Sequence, residues 1–304
     1  MSLNPPAIVQ QTHIYQTVAG LALPLDLFHT PAQPRAPVIL WLHGGALIRG
    51  SRSGLYPDVL QRYVQGGFAV AAVDYRLGPE TKLPEIIADV QAAHAWLRSG
   101  AAGPAVDPER VLVVGHSAGG YLTLLAGHWL TPRPTALVSF YGYGDIVGPW
   151  YSQPAPFYLR QPLVSAAEAA QAVGQAPLLA STPANNDQRG RFYLYTRQTG
   201  LWPAALTGHD PAREPDYFDP FCPVRHVTAA YPPVMLIHGD QDTDVPVQQS
   251  LDFAAACQRA GVRHVLKILP GRGHGFDNHD RTEPAIVAVF DEVIAFLRQS
   301  AAVA

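Results

Sequence analysis

Val111-Leu112-Val113-Val114-Gly115-His116-Ser117-Ala118-Gly119-Gly120 decides how the rest of the chain is read. Four apolar, mostly β-branched residues read as a buried strand, Ala118–Leu130 carries helical spacing, and Gly-x-Ser-x-Gly joins the two. A serine on so sharp a turn sits in strained backbone, which crowds the positions two before and two after it. Glycine at 115 and 119 removes the Cβ atoms that would collide there, and Gly120 lets the helix pack close to a sheet. The same letters also describe an ordinary glycine-rich strand-to-helix turn, so the meaning depends on the surroundings.

Outward from this turn the chain alternates. Val38–Leu42 reads as a strand ending at His43-Gly44-Gly45, and Phe68–Val73 as one ending at Asp74-Tyr75-Arg76-Leu77. Pro84–Arg98 has helical spacing with proline in its first turn. Strands Ala136–Phe140 and Val234–Ile237 follow, then helix Val247–Ala260, strand Val265–Leu269 and helix Pro284–Arg298. Strands apolar on both faces, alternating with helices, predict an α/β fold: a mostly parallel central sheet with helices on both faces. His13–Val18 and Leu21–Phe28, flanking Gly20, predict an antiparallel hairpin at one edge.

The rhythm breaks between Phe140 and Val234. Tyr141 to Phe221 holds 13 aromatics in 81 residues, against 16 in the other 223. A structureless loop of that length is improbable in a compact domain, so a packed insertion is expected. The division is then residues 1–140 and 230–304 as catalytic core and 141–229 as cap. The aromatics are expected either to form a small core of their own or to line a substrate pocket, and the pocket reading is preferred.

The chain is 48% hydrophobic and 15% charged over 304 residues, enough for a large core. Its net charge of −3 gives no electrostatic basis for nucleic acid or an anionic membrane surface. No apolar run approaches the roughly 20 residues of a membrane span. MSLNPPAIVQQ lacks the basic and apolar regions of a secretory leader. Two cysteines, Cys222 and Cys257, make neither a disulfide framework nor a thiolate cage and are expected in the core. A cytoplasmic protein, monomeric or a small oligomer such as a homodimer, is the expectation.

A serine hydroxyl is a poor nucleophile until an adjacent base, itself oriented by a third group, takes its proton. His274, among glycines after the last strand, is the candidate base. Asp240, Asp242 and Asp244, after the strand at 234–237, all qualify as the acid. Asp240-x-Asp242-x-Asp244 also opens like a calcium loop, but Val245 and Leu251 stand where glycine and glutamate are needed. His274, Asp277, His279 and Asp280 could together ligate a metal, but no further cluster supports it, and no cofactor or metal is expected. His43 reads as bracing its loop and His116 as a local hydrogen-bonding residue. Arg189, Arg191 and Arg197 read as solvated helix charge, with contact to a substrate carboxylate as the alternative.

The chain order Ser117, acid, His274 resembles that of the α/β-hydrolase superfamily. Within it the chain resembles the esterase/lipase branch that includes hormone-sensitive-lipase-like and kynurenine-formamidase-like enzymes. The resemblance covers about residues 36–145 and 230–298. It rests on His43-Gly44-Gly45, Asp74–Leu77, Gly115–Gly120, Gly239–Pro246 and Gly273-His274-Gly275-Phe276. The family pattern Gly-x-x-Asp-x-x-Val-Pro implies Asp242 as the triad acid, leaving Asp240 and Asp244 as loop-capping or solvent-facing carboxylates. Likeness to His-Gly-Gly-Gly esterases implies an oxyanion hole from the amides of Gly45, Ala46 and Ala118, with Gly44 close by. Here the third glycine is Ala46, whose methyl narrows the mouth. The implied function is a cofactor-free serine carboxylic-ester hydrolase for a small-molecule ester, short-acyl or aromatic, working through an acyl-enzyme. An amide or peptide hydrolase of the same fold, arylformamidase-like or for short peptides, is the alternative, and a non-catalytic binding protein is a more distant one.

Overall fold

A computed structural model describes residues 7–279 and 281–303. Residues 1–6, the start of the stretch read as leader-free, and Asp280 of the metal alternative lie outside the described residues. Eight strands among the described residues form one sheet: β1 (Val9–Val18), β2 (Leu21–His29), β3 (Ala36–Leu42), β4 (Ala69–Val73), β5 (Val106–His116), β6 (Leu137–Phe140), β7 (Val234–Gly239) and β8 (His264–Leu269). Their order is β1-β2-β4-β3-β5-β6-β7-β8. β3 to β8 are mutually parallel, and the β1–β2 hairpin is added antiparallel at the β4 edge.

The helices are α1 (Pro57–Gln65), α2 (Leu83–Arg98), α3 (Ala118–Trp129), α4 (Pro149–Ser152), α5 (Ala166–Gln171), α6 (Pro183–Thr199), α7 (Trp202–Thr207), α8 (Gln248–Ala260) and α9 (Pro284–Val303). Successive strand side chains point to opposite faces, so a strand apolar throughout needs cover on both. Val38, Leu40 and Leu42 of β3 face the side carrying α2, α3, α8 and the insertion, whereas Ile39 and Trp41 face α1 and α9. Among the described residues no helix is long and apolar enough to cross a membrane.

Two elements differ from the sequence expectation. β5 begins at Val106, because Val106 and Asp107 pair with Ala36 and Pro37 before an irregularity shifts the register to Val38–Val111. α1 has no counterpart in that reading. Its signal is Pro57 at the first turn and buried Val59, Tyr63 and Val64 on one face.

The segment between β6 and β7 is helical and packed. Tyr143, Tyr151, Trp202 and Phe218 share one buried cluster with Leu47, Leu77 and Tyr121 of the sheet side, so the insertion has no separate core. It is tied to the loop after β3. Trp202 Nε1 donates to Ala46 O at 3.0 Å, Arg189 Nε donates to Ile48 O at 2.5 Å, and Gly50 N donates to Ser181 Oγ at 2.8 Å.

Candidate active site

β3, β5, β7 and β8 all end at the same edge of the sheet, the side where open α/β sheets hold ligands. β5 delivers Ser117 with φ 56° and ψ −117°, backbone that a non-glycine residue keeps only when its surroundings enforce it. Ser117 N donates to Phe140 O at 2.8 Å, and Ser117 O accepts from Tyr121 N of α3 at 2.9 Å. A Cβ on Gly119 would lie 2.1 Å from Leu42 O. Glycine there is what lets α3 start against β3.

His274, in the loop after β8, reaches Ser117. Its Nε2 is 3.0 Å from Ser117 Oγ, and its Nδ1 is 2.7 Å from Asp242 Oδ2. Of the three acids left open by the residues alone, Asp242 is thus the one on Nδ1. Asp240 Oδ1 caps a loop by accepting from Gly271 N at 2.7 Å. Asp244 differs from the expected solvent-facing carboxylate. Its Oδ1 accepts from Tyr193 Oη at 2.5 Å and Arg197 Nη1 at 2.9 Å, and its Oδ2 lies 3.6 Å from His274 Nε2.

Asp242 has every lone-pair direction occupied. Oδ1 accepts the amides of Asp244 at 2.8 Å and Val245 at 2.9 Å; Oδ2 accepts from His274 and from His238 Nε2 at 3.1 Å. Burial works against its ionisation, but the hydrogen bonds from His238 and His274 prevail and hold the carboxyl well below the usual range. His238, wholly buried at the end of β7, escaped the sequence reading. Its Nε2 faces two acceptors, Asp242 Oδ2 and Val245 O at 3.0 Å, so the proton sits on Nε2 and the Ser250 hydroxyl donates to Nδ1 at 2.7 Å. The only signal was its place one residue before Gly239-Asp240.

Burial lowers the basicity of His274, but the Asp242 hydrogen bond and the charges of Asp244, Asp242 and Asp277 outweigh it, so its pKa is raised from 6.5. A base acts only when neutral. The acid limb of a kcat/KM–pH profile should therefore be half-maximal above pH 6.5, with activity lost as pH falls through that value. A limb at or below pH 6 would contradict the carboxylate surroundings described here.

The loop after β3 passes the serine closely: a Cβ on Gly44 would lie 3.4 Å from Ser117 Cβ. Gly45, Ala46 and Leu47 have φ of 108°, 58° and 61°. Ala46 thus holds a left-handed backbone that glycine adopts more readily. Ile48 N and Arg49 N both donate to Gly45 O at 2.9 Å, and Ala118 stands at the first turn of α3 beside Ser117. His43 braces this loop. Its Nδ1 donates to Gly44 O at 2.8 Å, its ring stacks on Tyr75 at 4.2 Å, and Tyr75 Oη donates to His43 O at 2.7 Å. Asp74–Leu77 is therefore scaffold, with Arg76 paired to buried Asp89 at 2.8 Å.

His116 turns away from a second catalytic role. It stacks on Phe140 at 4.4 Å and meets Asp277 Oδ2 at 3.2 Å, and Asp277 Oδ1 accepts from Tyr141 Oη at 2.6 Å. Tyr141 in turn sets its ring against His274 at 4.7 Å. Cys222 and Cys257 are free and buried. No group of three or more potential metal ligands occurs among the described residues.

A cavity of about 310 Å³ opens over Ser117 and His274. Its apolar wall is Trp41, Leu55, Tyr56, Val59, Tyr141 and Tyr193. Among the described residues, Tyr141 and Tyr193 are the only aromatics of the insertion that line it, which corrects the pocket-lining expectation. The others pack on one another: Trp150 on Tyr151 at 4.1 Å and Tyr151 on Trp202 at 4.2 Å. The arginine reading is corrected too. Arg189 is buried on Glu80 at 2.8 Å, and Arg197 is buried on Asp244 inside a cage of Trp150, Tyr151, Tyr158 and Tyr193. Only Arg191 of the three is exposed. Arginine's weakly hydrated planar group suits such buried, stacked pairs.

The BD-FAE family matches residues 25–134, and the prolyl oligopeptidase family matches residues 190–302. Esterase LipC of Mycobacterium tuberculosis is 30% identical over 275 residues, covering 85% of this chain and 58% of LipC. The chain thus spans little more than half of that relative. A solved α/β-hydrolase superfamily protein from Enterococcus faecalis superposes with TM-score 0.75 at 23% identity, covering 96% of this chain and 99% of its own. An esterase from Thermogutta terrifontis, Est2, solved with propionate bound, superposes with TM-score 0.66 at 24% identity over 95% of this chain and 94% of its own.

Proposed function

We propose that this chain is an α/β-hydrolase of the esterase/lipase type that hydrolyses carboxylic esters by covalent catalysis at Ser117. The observation that carries the reading is the continuous relay Ser117 Oγ–His274 Nε2, 3.0 Å, and His274 Nδ1–Asp242 Oδ2, 2.7 Å.

Asp242 accepts a hydrogen bond from Nδ1–H, which leaves the lone pair of Nε2 aimed at Ser117. When Ser117 Oγ attacks the ester carbonyl, its proton passes to Nε2, and the imidazolium is held by Asp242. The carbonyl oxygen becomes an oxyanion. Amides of Gly45, Ala46 and Ala118, with Gly44 alongside, are the donors assigned to it; the left-handed run at 45–47 and the close approach of Gly44 to Ser117 support this. Collapse returns the proton to the leaving alkoxide and leaves an acyl-enzyme on Ser117. Water then adds by the same route, giving the acid and free Ser117.

The insertion at 141–229 is assigned a buttressing part. Its bonds to Ala46, Ile48 and Gly50 hold the oxyanion loop against the sheet. The cavity, near the lower bound of about 300 Å³ for ligand pockets, favours short-acyl or small aromatic esters. The match of residues 190–302 to the prolyl oligopeptidase family keeps an amide or peptide hydrolase as the second reading.

The test is turnover of p-nitrophenyl esters from acetyl to palmitoyl, beside a p-nitroanilide and N-formylkynurenine, with Ser117→Ala as the blank. Ser117-dependent turnover that falls steeply beyond short chains is expected. Preference for the anilide or formyl substrate would transfer the same relay to the second reading. Turnover unchanged in Ser117→Ala would overturn both.

A further inference from the structure

We infer that Arg49 is a specificity residue that reads an anionic group on the substrate, so that the preferred esters carry a free carboxylate. The inference rests on the esterase reading above and concerns the same cavity.

Arg49 lies in the loop after β3 and lines the cavity over Ser117. From His43 to Pro57 the chain holds two cations, Arg49 and Arg52, and no acid. Arg52 is engaged, with Asp26 at 2.9 Å and with Asp74. Arg49 is not: among the described residues its guanidinium has no hydrogen bond, ion pair or ring contact, although the side chain is half-buried. The two acids of the cavity wall are taken elsewhere, Asp244 by Arg197 and Tyr193, and Asp277 by Tyr141 and His116.

Fixing and partly desolvating a cation without a counter-ion is unfavourable unless a ligand completes the pair. The fixing is visible at both ends of the side chain. Gly45 has φ of 108°, and a Cβ there would lie 2.2 Å from Arg49 O and 3.0 Å from Arg49 Cγ. The stem therefore packs directly on the loop assigned to the oxyanion. At the other end, Arg49 Nη1 would stand 3.5 Å from a Cβ on Gly190 of α6. One residue back from each partner, Arg189 ties α6 to Ile48 O. The guanidinium thus lies between loop and insertion and lines the space a substrate enters. A planar two-pronged donor at such a place matches a carboxylate.

Two matched pairs test this. Mono(p-nitrophenyl) glutarate against p-nitrophenyl pentanoate places the carboxylate on the acyl side, and 4-acetoxybenzoate against methyl 4-acetoxybenzoate places it on the leaving group. The charged member of at least one pair should be preferred. Arg49→Met, which keeps the stem, should lower its kcat/KM by roughly 10–100-fold while changing the neutral member by less than about threefold. Arg49→Lys should restore part of the preference. Equal losses on charged and neutral esters, or no charge preference in either pair, would overturn the inference and leave the esterase standing. If no ester shows Ser117-dependent turnover, the esterase reading fails instead, and calorimetry still decides this one. In that case 4-acetoxybenzoate should bind Ser117→Ala about 10-fold or more tighter than Ser117→Ala/Arg49→Met; equal affinity or no binding overturns it.

Discussion

Asp242→Asn is expected to lower kcat about 10⁴-fold while leaving the protein folded, because the asparagine would present the wrong atom to His274. The two oxygens of Asp242 are not equivalent. Oδ1 accepts two backbone amides, from Asp244 and Val245, at 2.8 and 2.9 Å. An asparagine would keep its carbonyl oxygen there, since an NH₂ group cannot accept those bonds. Its NH₂ would then occupy the Oδ2 place, 2.7 Å from His274 Nδ1. A donor facing Nδ1 forces the ring proton onto Nε2, where it points at Ser117 Oγ instead of accepting its proton. His238 Nε2–H would face the same NH₂ but keeps Val245 O at 3.0 Å. The check is kcat on p-nitrophenyl acetate at pH 8 beside a thermal melt. A loss below about 10-fold in a folded protein would remove Asp242 from the relay and direct attention to Asp244, whose Oδ2 lies 3.6 Å from Nε2.

How much of this was legible in the sequence depends on how local each constraint is. The Ser117 turn announces itself because its crowding falls within five residues, so Gly115 and Gly119 stand in the same short string as the serine. The hairpin and the parallel strands were legible from period and punctuation. His238 was not, because a histidine in an apolar strand reads as core until its partners, Asp242 and Ser250, are brought to it. The buried arginines were hidden by distance along the chain. Arg189 meets Glu80 across 109 positions, and Arg197 meets Asp244 across 47. In a helix rich in polar residues both look solvated, and their burial follows only once the insertion folds back on the loop after β3. The dense aromatics misled for a related reason: composition registers that large rings are present, but not whether they face a cavity or one another.

The same distance makes Arg197→Met the second large expected effect, on stability and on pH dependence together. Arg197 and the Asp244 carboxylate are joined at 2.9 Å, with the arginine almost wholly buried among four rings. Removing one member of a buried pair leaves the other uncompensated, a loss of about 3–5 kcal/mol. For a chain of this size that lowers Tm by roughly 5–10 °C. The charge left behind is not remote from the chemistry. Asp244 Oδ2 stands 3.6 Å from His274 Nε2, and its charge already helps raise that imidazole. Without Arg197 drawing on it, the carboxylate favours the imidazolium more strongly, so the acid limb of kcat/KM should move to higher pH. Activity near pH 7 should then fall more than activity near pH 9. The double variant Arg197→Met/Asp244→Asn tests this common cause. It removes the stray charge, so Tm should largely recover and the limb should return to or below its original position. A limb that stays shifted in the double variant would place the cause in displaced packing of α6 rather than in the Asp244 charge.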